Sequence, residues 1–245
     1  MNRVILVVPF WLVIAAALLW PATPPVDGRS SRMQMKPVVR CIQDAELRER
    51  LATMKREGGP DVAKVYEALL AKARTSSACR TEVIEALIKA MEKASKDPTN
   101  QNERFFLWQH GAGLLADLKA TEALDLLVAN IDFTDGWSAS ISEYHSPVLV
   151  SILEIGSPAI PKLHVLLKND SVPHRRKFAA FAIAYIGGRE AREALSSALP
   201  DETDPCVKKF LQLSLQAFDN KAKPNHISSE LRVKWMGAFY CLQSG

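Results

Sequence analysis

Apolar residues recur at helical spacing through most of the chain, and nothing between Val38 and Gly245 alternates with period two for long enough to suggest a strand. The clearest stretch is 156–188, GSPAIPKLHVLLKNDSVPHRRKFAAFAIAYIGG. Ala159, Leu163 and Leu166 share one i, i+4, i+7 row, with Ile160 and Leu167 beside it. That spacing predicts a helix with a single apolar stripe, ending in the polar turn Lys168-Asn169-Asp170. Ser157 can cap its start, Pro158 suits the first helical position, and Pro161 predicts a bend at the end of the first turn. A second helix is predicted from Val172 to Ile186, and Gly187-Gly188 stops it. Its half from Phe178 to Ile186, FAAFAIAYI, is apolar all round apart from the Tyr185 hydroxyl. Such a helix is buried on more than one side, and one hairpin partner cannot cover it.

The same plan recurs along the chain. Arg189–Leu199 and Pro205–Phe218 read as a short and a longer helix around a DETDP turn. Thr121–Ile131 and Ser146–Ile155 read as an earlier pair, and Ile155-Gly156 matches Ile186-Gly187 at a spacing of 31 residues. Three pairs suffice for mutual burial. Arg104–Leu118 reads as the second helix of a degenerate first repeat, weakened by Gly111 and Gly113 unless these allow close helix contact. Upstream, Asp44–Glu57 places Leu47, Leu51 and Met54 on one face and ends at Gly58-Gly59-Pro60. Asp61 can cap the next helix, with Val62, Val65 and Leu69 in register. A third, Thr81–Ser95, has Val83, Leu87 and Met91 in one row, and DPTNQN at 97–102 breaks the pattern. Ser228–Leu242 predicts a last helix with Leu231, Trp235, Ala238 and Leu242 on one side.

Asp170, Arg176 followed by Ala179-Ala180, and Ile186-Gly187 resemble the consensus of a HEAT repeat, of the short bacterial kind related to phycobilisome-lyase repeats. The resemblance covers roughly 103–218. It implies an all-α fold, a right-handed α-solenoid of HEAT-like helical hairpins whose first helices face out and second helices face in. The expected organisation is an export signal or N-terminal anchor at 1–20 and a Pro/Ser linker at 21–37. An N-terminal helical cap at 38–102 precedes repeats at 103–218, and a C-terminal capping helix follows at 219–245.

The leader expectation rests on MNRVILVVPFWLVIAAALLW, one early cation followed by an uncharged apolar run. It is longer than a usual signal core and shorter than a usual span, so cleavage and retention as an anchor both stay open. PATPPVDGRSSRMQMKP, at 21–37, has proline and serine without an apolar period and reads as a linker, extended or disordered. Lys plus Arg is 31 against 27 for Asp plus Glu, a net of +4. That balance, evenly spread, argues against a nucleic-acid partner. Membrane association is expected only through residues 1–20.

Candidate chemistry is sparse. His110, His145, His164, His174 and His226 include no i, i+4 pair and no H-x-x-E, there is no His-Glu dipeptide, and no cysteines have C-x-x-C spacing. There is no G-x-S-x-G elbow, and Gly111-x-Gly113 lacks the third glycine of a phosphate-cradling loop. Neither catalytic residues nor metal ligands nor a cofactor are expected. Lone carboxylates such as Glu154 read as solvated or capping. In the basic run His174-Arg175-Arg176-Lys177, Arg176 is expected to bond to carboxylates or carbonyls of the adjacent repeat. Arg175 is then either solvated or available to a partner.

The segment 132–145, DFTDGWSASISEYH, is the exception. It takes fourteen residues where the other hairpin turns take about four to six. Phe133, Trp137, Tyr144 and His145 make it a candidate recognition element on a rigid scaffold, or a plug folded over the edge of the helices. The expectation for function is an exported, non-enzymatic scaffold that binds a protein in the envelope or the extracellular space. The alternative is an accessory or lyase-like factor holding a small ligand in the inner groove.

Four cysteines in an exported chain suggest disulfides, with three possible pairings. Because each solenoid unit touches only its neighbours, the repeat model favours Cys41–Cys79 and Cys206–Cys241. Buried free thiols are the alternative.

Overall fold

The chain divides into Met1–Val38 and Val39–Gly245. The computed structural model describes residues 41–97, 99–134 and 146–219, all within the second unit. Among the described residues there are ten α-helices and no strand. In chain order they are α1 (Asp44–Thr53), α2 (Pro60–Ala73), α3 (Ser77–Ser95), α4 (Gln101–Asp117) and α5 (Leu124–Ala129). There follow α6 (Pro147–Ile155), α7 (Ile160–Asn169), α8 (Pro173–Ile186), α9 (Gly188–Ala198) and α10 (Pro205–Asp219). The leader, the linker and the expected last helix lie outside the described residues.

From α4 onward the helices contact one another in two rows. α4 packs on α6, α6 on α8, and α8 on α10; beside them α5 packs on α7, and α7 on α9. The rows join through α5 with α6, α7 with α8, α8 with α9, and α9 with α10. The apolar rows read from the sequence are the faces that meet: Ala159, Ile160, Leu163, Leu166 and Leu167 are all buried. α8 touches α6, α7, α9 and α10, which is why Phe178 to Ala184 can all be buried. Tyr185 alone points outward, 41% exposed. One continuous core runs from Ile42 to Leu211, so the α1–α3 segment shares it with the later helices.

Helix ends follow local chemistry and differ in places from the predicted ones. α6 and α8 close on Gly156 (φ 84°, ψ −141°) and Gly187 (φ 74°, ψ −169°), a region essentially open only to glycine. The two positions 31 residues apart therefore share one conformation. Ser157 does not cap a helix: it opens a 3-10 turn, Ser157–Ala159, and α7 starts after it with Pro161 in its first turn. Pro161 therefore sits where its missing N–H costs nothing. Asp61 likewise lies inside α2, which begins at Pro60 after Gly59. Ser76 caps α3 by accepting from the Cys79 N–H at 3.1 Å, and Asn100 caps α4 by accepting from the Glu103 N–H at 3.1 Å.

Cations tie helix ends to neighbouring turns. Arg176 donates Nε to Glu202 Oε2 at 2.9 Å and Nη2 to Oε1 at 2.6 Å, while Nη1 reaches the Asp170 carbonyl at 2.9 Å. Burial alone would raise the Glu202 carboxyl; the Arg176 guanidinium and the Asp204 N–H outweigh it and hold it below the usual range. Arg80 does similar work earlier, donating to the Leu118 carbonyl at 3.1 Å and to Glu122. Cys41 and Cys79 form a disulfide with Cα atoms 5.2 Å apart. Such a bond belongs to an oxidising compartment. Cys206 is also disulfide-bonded, and Cys241 lies outside the described residues. No single helix among the described residues is long and apolar enough to cross a membrane.

Candidate functional site

α4 carries two usable faces. Leu107, Trp108, Gly111, Ala112, Leu114 and Leu115 point into the core. Phe105, Phe106, Gln109, His110, Gly113 and Asp117 fall on the other side and line a half-open groove of about 730 Å³. α6 supplies the facing wall through Pro147, Val150, Ser151 and Glu154, at helical spacings of three and four. Tyr66 of α2, with Glu57 and Gly58 just before that helix, closes one side. The groove volume falls within the ~300–1,000 Å³ of ligand-binding clefts.

Several polar groups of the groove are tied to the protein itself. The Tyr66 hydroxyl donates to Asp117 Oδ2 at 2.6 Å. Burial, that hydrogen bond and the charges of Asp117, Glu154 and Glu67 all push its pKa far above the usual phenol value, so it stays a neutral donor. His110 Nε2 lies 3.3 Å from the Arg56 carbonyl, and its ring runs parallel to Phe106 with centroids 6.4 Å apart. Burial pushes its pKa below the ordinary imidazole value, more than the Arg56 carbonyl pulls it up. Ser151 donates to the Pro147 carbonyl of its own helix at 2.8 Å. Among the described residues, carboxylates at Glu57, Asp117 and Glu154 line the groove, and no lysine or arginine does.

The residues singled out from the sequence fall in different places. Phe133 is half-buried and packs back on α4: its ring stacks on Trp108 at 5.1 Å and on Phe105 at 5.9 Å, with Arg104 over it at 5.9 Å. Arg175 is not solvated. It donates Nε to Asp170 at 2.8 Å and Nη2 to the Ala129 carbonyl at 3.0 Å, and pairs with Asp132 at 3.5 Å. It therefore holds the end of α5 and the start of the 132–145 segment. Trp137, Tyr144 and His145 lie outside the described residues.

Sequence reasoning did not find the groove. Its one available signal was a second apolar face on α4, at Phe105-Phe106, beyond what a single core contact needs. Nor did it find the approach of Ser197 Oγ to His164 Nε2, 2.9 Å across α9 and α7. That hydroxyl also lies 3.0 Å from the Ala194 carbonyl, and both side chains sit on the surface outside the groove. The pair is a surface tie between helices. Among the described residues, no group of three or more His, Cys, Asp or Glu is placed to hold a metal ion.

Comparison adds no relative: no family model, curated protein or solved structure matches the chain significantly.

Proposed function

We propose that this chain is an exported, non-enzymatic binding module that presents the α4–α6 groove to a protein partner in the envelope or outside the cell. We read its body as a right-handed solenoid of HEAT-like hairpins with capping helices at both ends. Support for the repeat comes from the two rows of helix contacts, the matching glycine conformations at Gly156 and Gly187, and the clip of Arg176 on Asp170 and Glu202. Export is supported by the Cys41–Cys79 disulfide and by the apolar run at 1–20.

The observation that carries the binding reading is the groove. It is half-open and walled by three aromatic rings, and its Tyr66, His110 and Ser151 groups are engaged with the protein rather than converging on one point. A rigid, concave, aromatic-lined surface suits recognition of a chain segment by shape and charge. We read the 132–145 segment, with Trp137 and Tyr144, as a second recognition element.

Photo-cross-linking in the full-length protein tests this. A photoreactive residue at Gln109 in the groove is expected to capture a protein from envelope fractions. The same residue at the exposed Val165 of α7 is expected to capture none. Identical products from both positions, or none from Gln109, would rule the groove out as the docking face. Trp137→Ala with Tyr144→Ala is expected to weaken capture while leaving the thermal midpoint unchanged. A large fall in that midpoint would make the segment a plug instead.

A further inference from the structure

We infer that α4 carries a carboxylate-binding site beside the groove, where the Arg104 guanidinium and the Trp108 indole N–H receive an acidic group of the protein partner. The source of that carboxylate rests on the binding reading above; the site itself rests on two donors that the protein leaves unused. Arg104 Nε and Trp108 Nε1 are both buried and, among the described residues, have no hydrogen-bond partner. Trp108 as a whole is 0% exposed. Residues four apart share one face of a helix, and both of these pack against the same ring, Phe133. Buried donors are nearly always paired, so two unpaired ones on successive turns mark a place that lacks its acceptor.

Contacts within the protein do not settle these donors. Arg104 Cζ lies 5.9 Å from the Phe133 centroid, close to the ~6 Å limit of cation–π attraction. Such a contact returns less than it costs to take a guanidinium donor out of water. Glu103, its neighbour in sequence, pairs with Lys55 at 3.5 Å instead. The Phe133 ring is stacked on the indole with 24° between the planes, so the in-plane indole N–H does not point into that ring. Both groups are donors and one is a permanent cation, which makes the missing partner an anionic acceptor. A carboxylate matches the guanidinium fork with two oxygens and carries the single charge that one arginine neutralises. Arg104 and Phe133 are half-buried, so a carboxylate can meet the guanidinium from solvent and reach the inner donors as Phe133 tilts aside. Phe133 also stacks on Phe105, which lines the groove, so the site adjoins the docking face. Asp117 stands at the far end of α4, roughly 20 Å along the axis, beyond the reach of unscreened repulsion.

NMR titration of the full-length protein tests the site directly, with the Trp108 indole N–H resonance assigned through Trp108→Phe. The probes are N-acetyl-glutamate amide, its neutral glutamine counterpart, and N-acetyl-alanine with a free terminal carboxylate. The glutamate probe is expected to shift the Trp108 N–H resonance saturably, and the glutamine probe to leave it in place. The two acids distinguish the sources: the tighter one names the group the partner presents, a side chain or a chain terminus. Arg104→Gln should weaken binding of the acids about tenfold or more, the worth of one charge-assisted pair. An unchanged thermal midpoint in that variant verifies the fold. Arg74→Gln, which removes the same charge at an exposed position of the chain, should leave affinity unchanged. Rising salt should weaken binding in parallel. No shift with either acid, an equal shift with the glutamine probe, or equal affinity in Arg104→Gln would overturn the assignment. So would a Trp108 N–H in contact with a bound water and unresponsive to both acids, because the donor would then be satisfied internally. Each of these results leaves the groove reading standing. Absence of Gln109 cross-links is the separate result that removes the binding reading.

Discussion

Gly111 of α4 faces Met91 of α3. A Cβ at this position would lie 2.9 Å from Met91 Sδ, and Met91 is fully buried, so it cannot swing into solvent. Gly111→Ala would gain up to ~1 kcal/mol in helix propensity but overpack a filled core at a cost of ~1–3 kcal/mol. The expected result is a net loss in urea unfolding, turning to a gain in a Met91→Ala background where the clash is absent. A stabilised Gly111→Ala in the parent protein would contradict the contact. His110, one residue earlier, predicts a pH response. Burial first, opposed by the Arg56 carbonyl, puts its folded pKa below 6.5. His174 moves the same way, through burial and Lys177 against Asp132. The unfolded chain therefore takes up these protons at higher pH than the folded one. Their contribution is complete above the ordinary imidazole value and declines as pH falls from there toward the lowered values. Denaturation midpoints should fall between about pH 7.5 and about 5.5, less steeply in His110→Gln and least in His110→Gln/His174→Gln. An unchanged slope in the double variant would exclude both imidazoles as its source.

At the scale of the element, α8 shows what a sequence can and cannot convey. FAAFAIAYI announces burial on every side, and α6, α7, α9 and α10 supply it. Phe181, 5% exposed and stacked on Tyr185 at 6.1 Å, is expected to cost ~3–5 kcal/mol on truncation to alanine. A loss under ~1 kcal/mol would mean the ring has an open side. Apolar spacing made α2, α3, α7 and α8 legible because burial imposes it directly. Helix starts were less so: around Gly156, Pro158 and Pro161, backbone conformation decides, and three competing start signals lie within six residues. The groove was illegible for a different reason. Tyr66, Asp117 and Glu154 come from three helices far apart in the chain, and each alone reads as a solvated side chain. Arg176 was legible and Arg175 was not, because Ala129 and Asp132, which engage it, belong to the preceding hairpin.

At the scale of the molecule, the start of the folded body is pinned rather than left to end freely. Cys41 precedes α1 and Cys79 lies in the first turn of α3, with 38 residues of separation between them. Glu82 reinforces the same point: it accepts from the Cys41 N–H at 2.8 Å and from the Ile42 N–H at 3.4 Å. Ile42 is thereby seated in the core at 1% exposure. A cross-link of that span removes loop-closure entropy from the unfolded chain, worth ~3–4 kcal/mol. Cys41→Ala/Cys79→Ala should lower the unfolding free energy by that amount while helical content stays the same, because Glu82 and Ile42 still hold the segment when folded. Non-reducing peptide mapping of protein from its native compartment should recover a Cys41–Cys79 peptide, and Cys206 joined to Cys241. A Cys79–Cys206 peptide, four alkylatable thiols, or a loss under ~1 kcal/mol in the double variant would each show that the entry segment is held by other contacts.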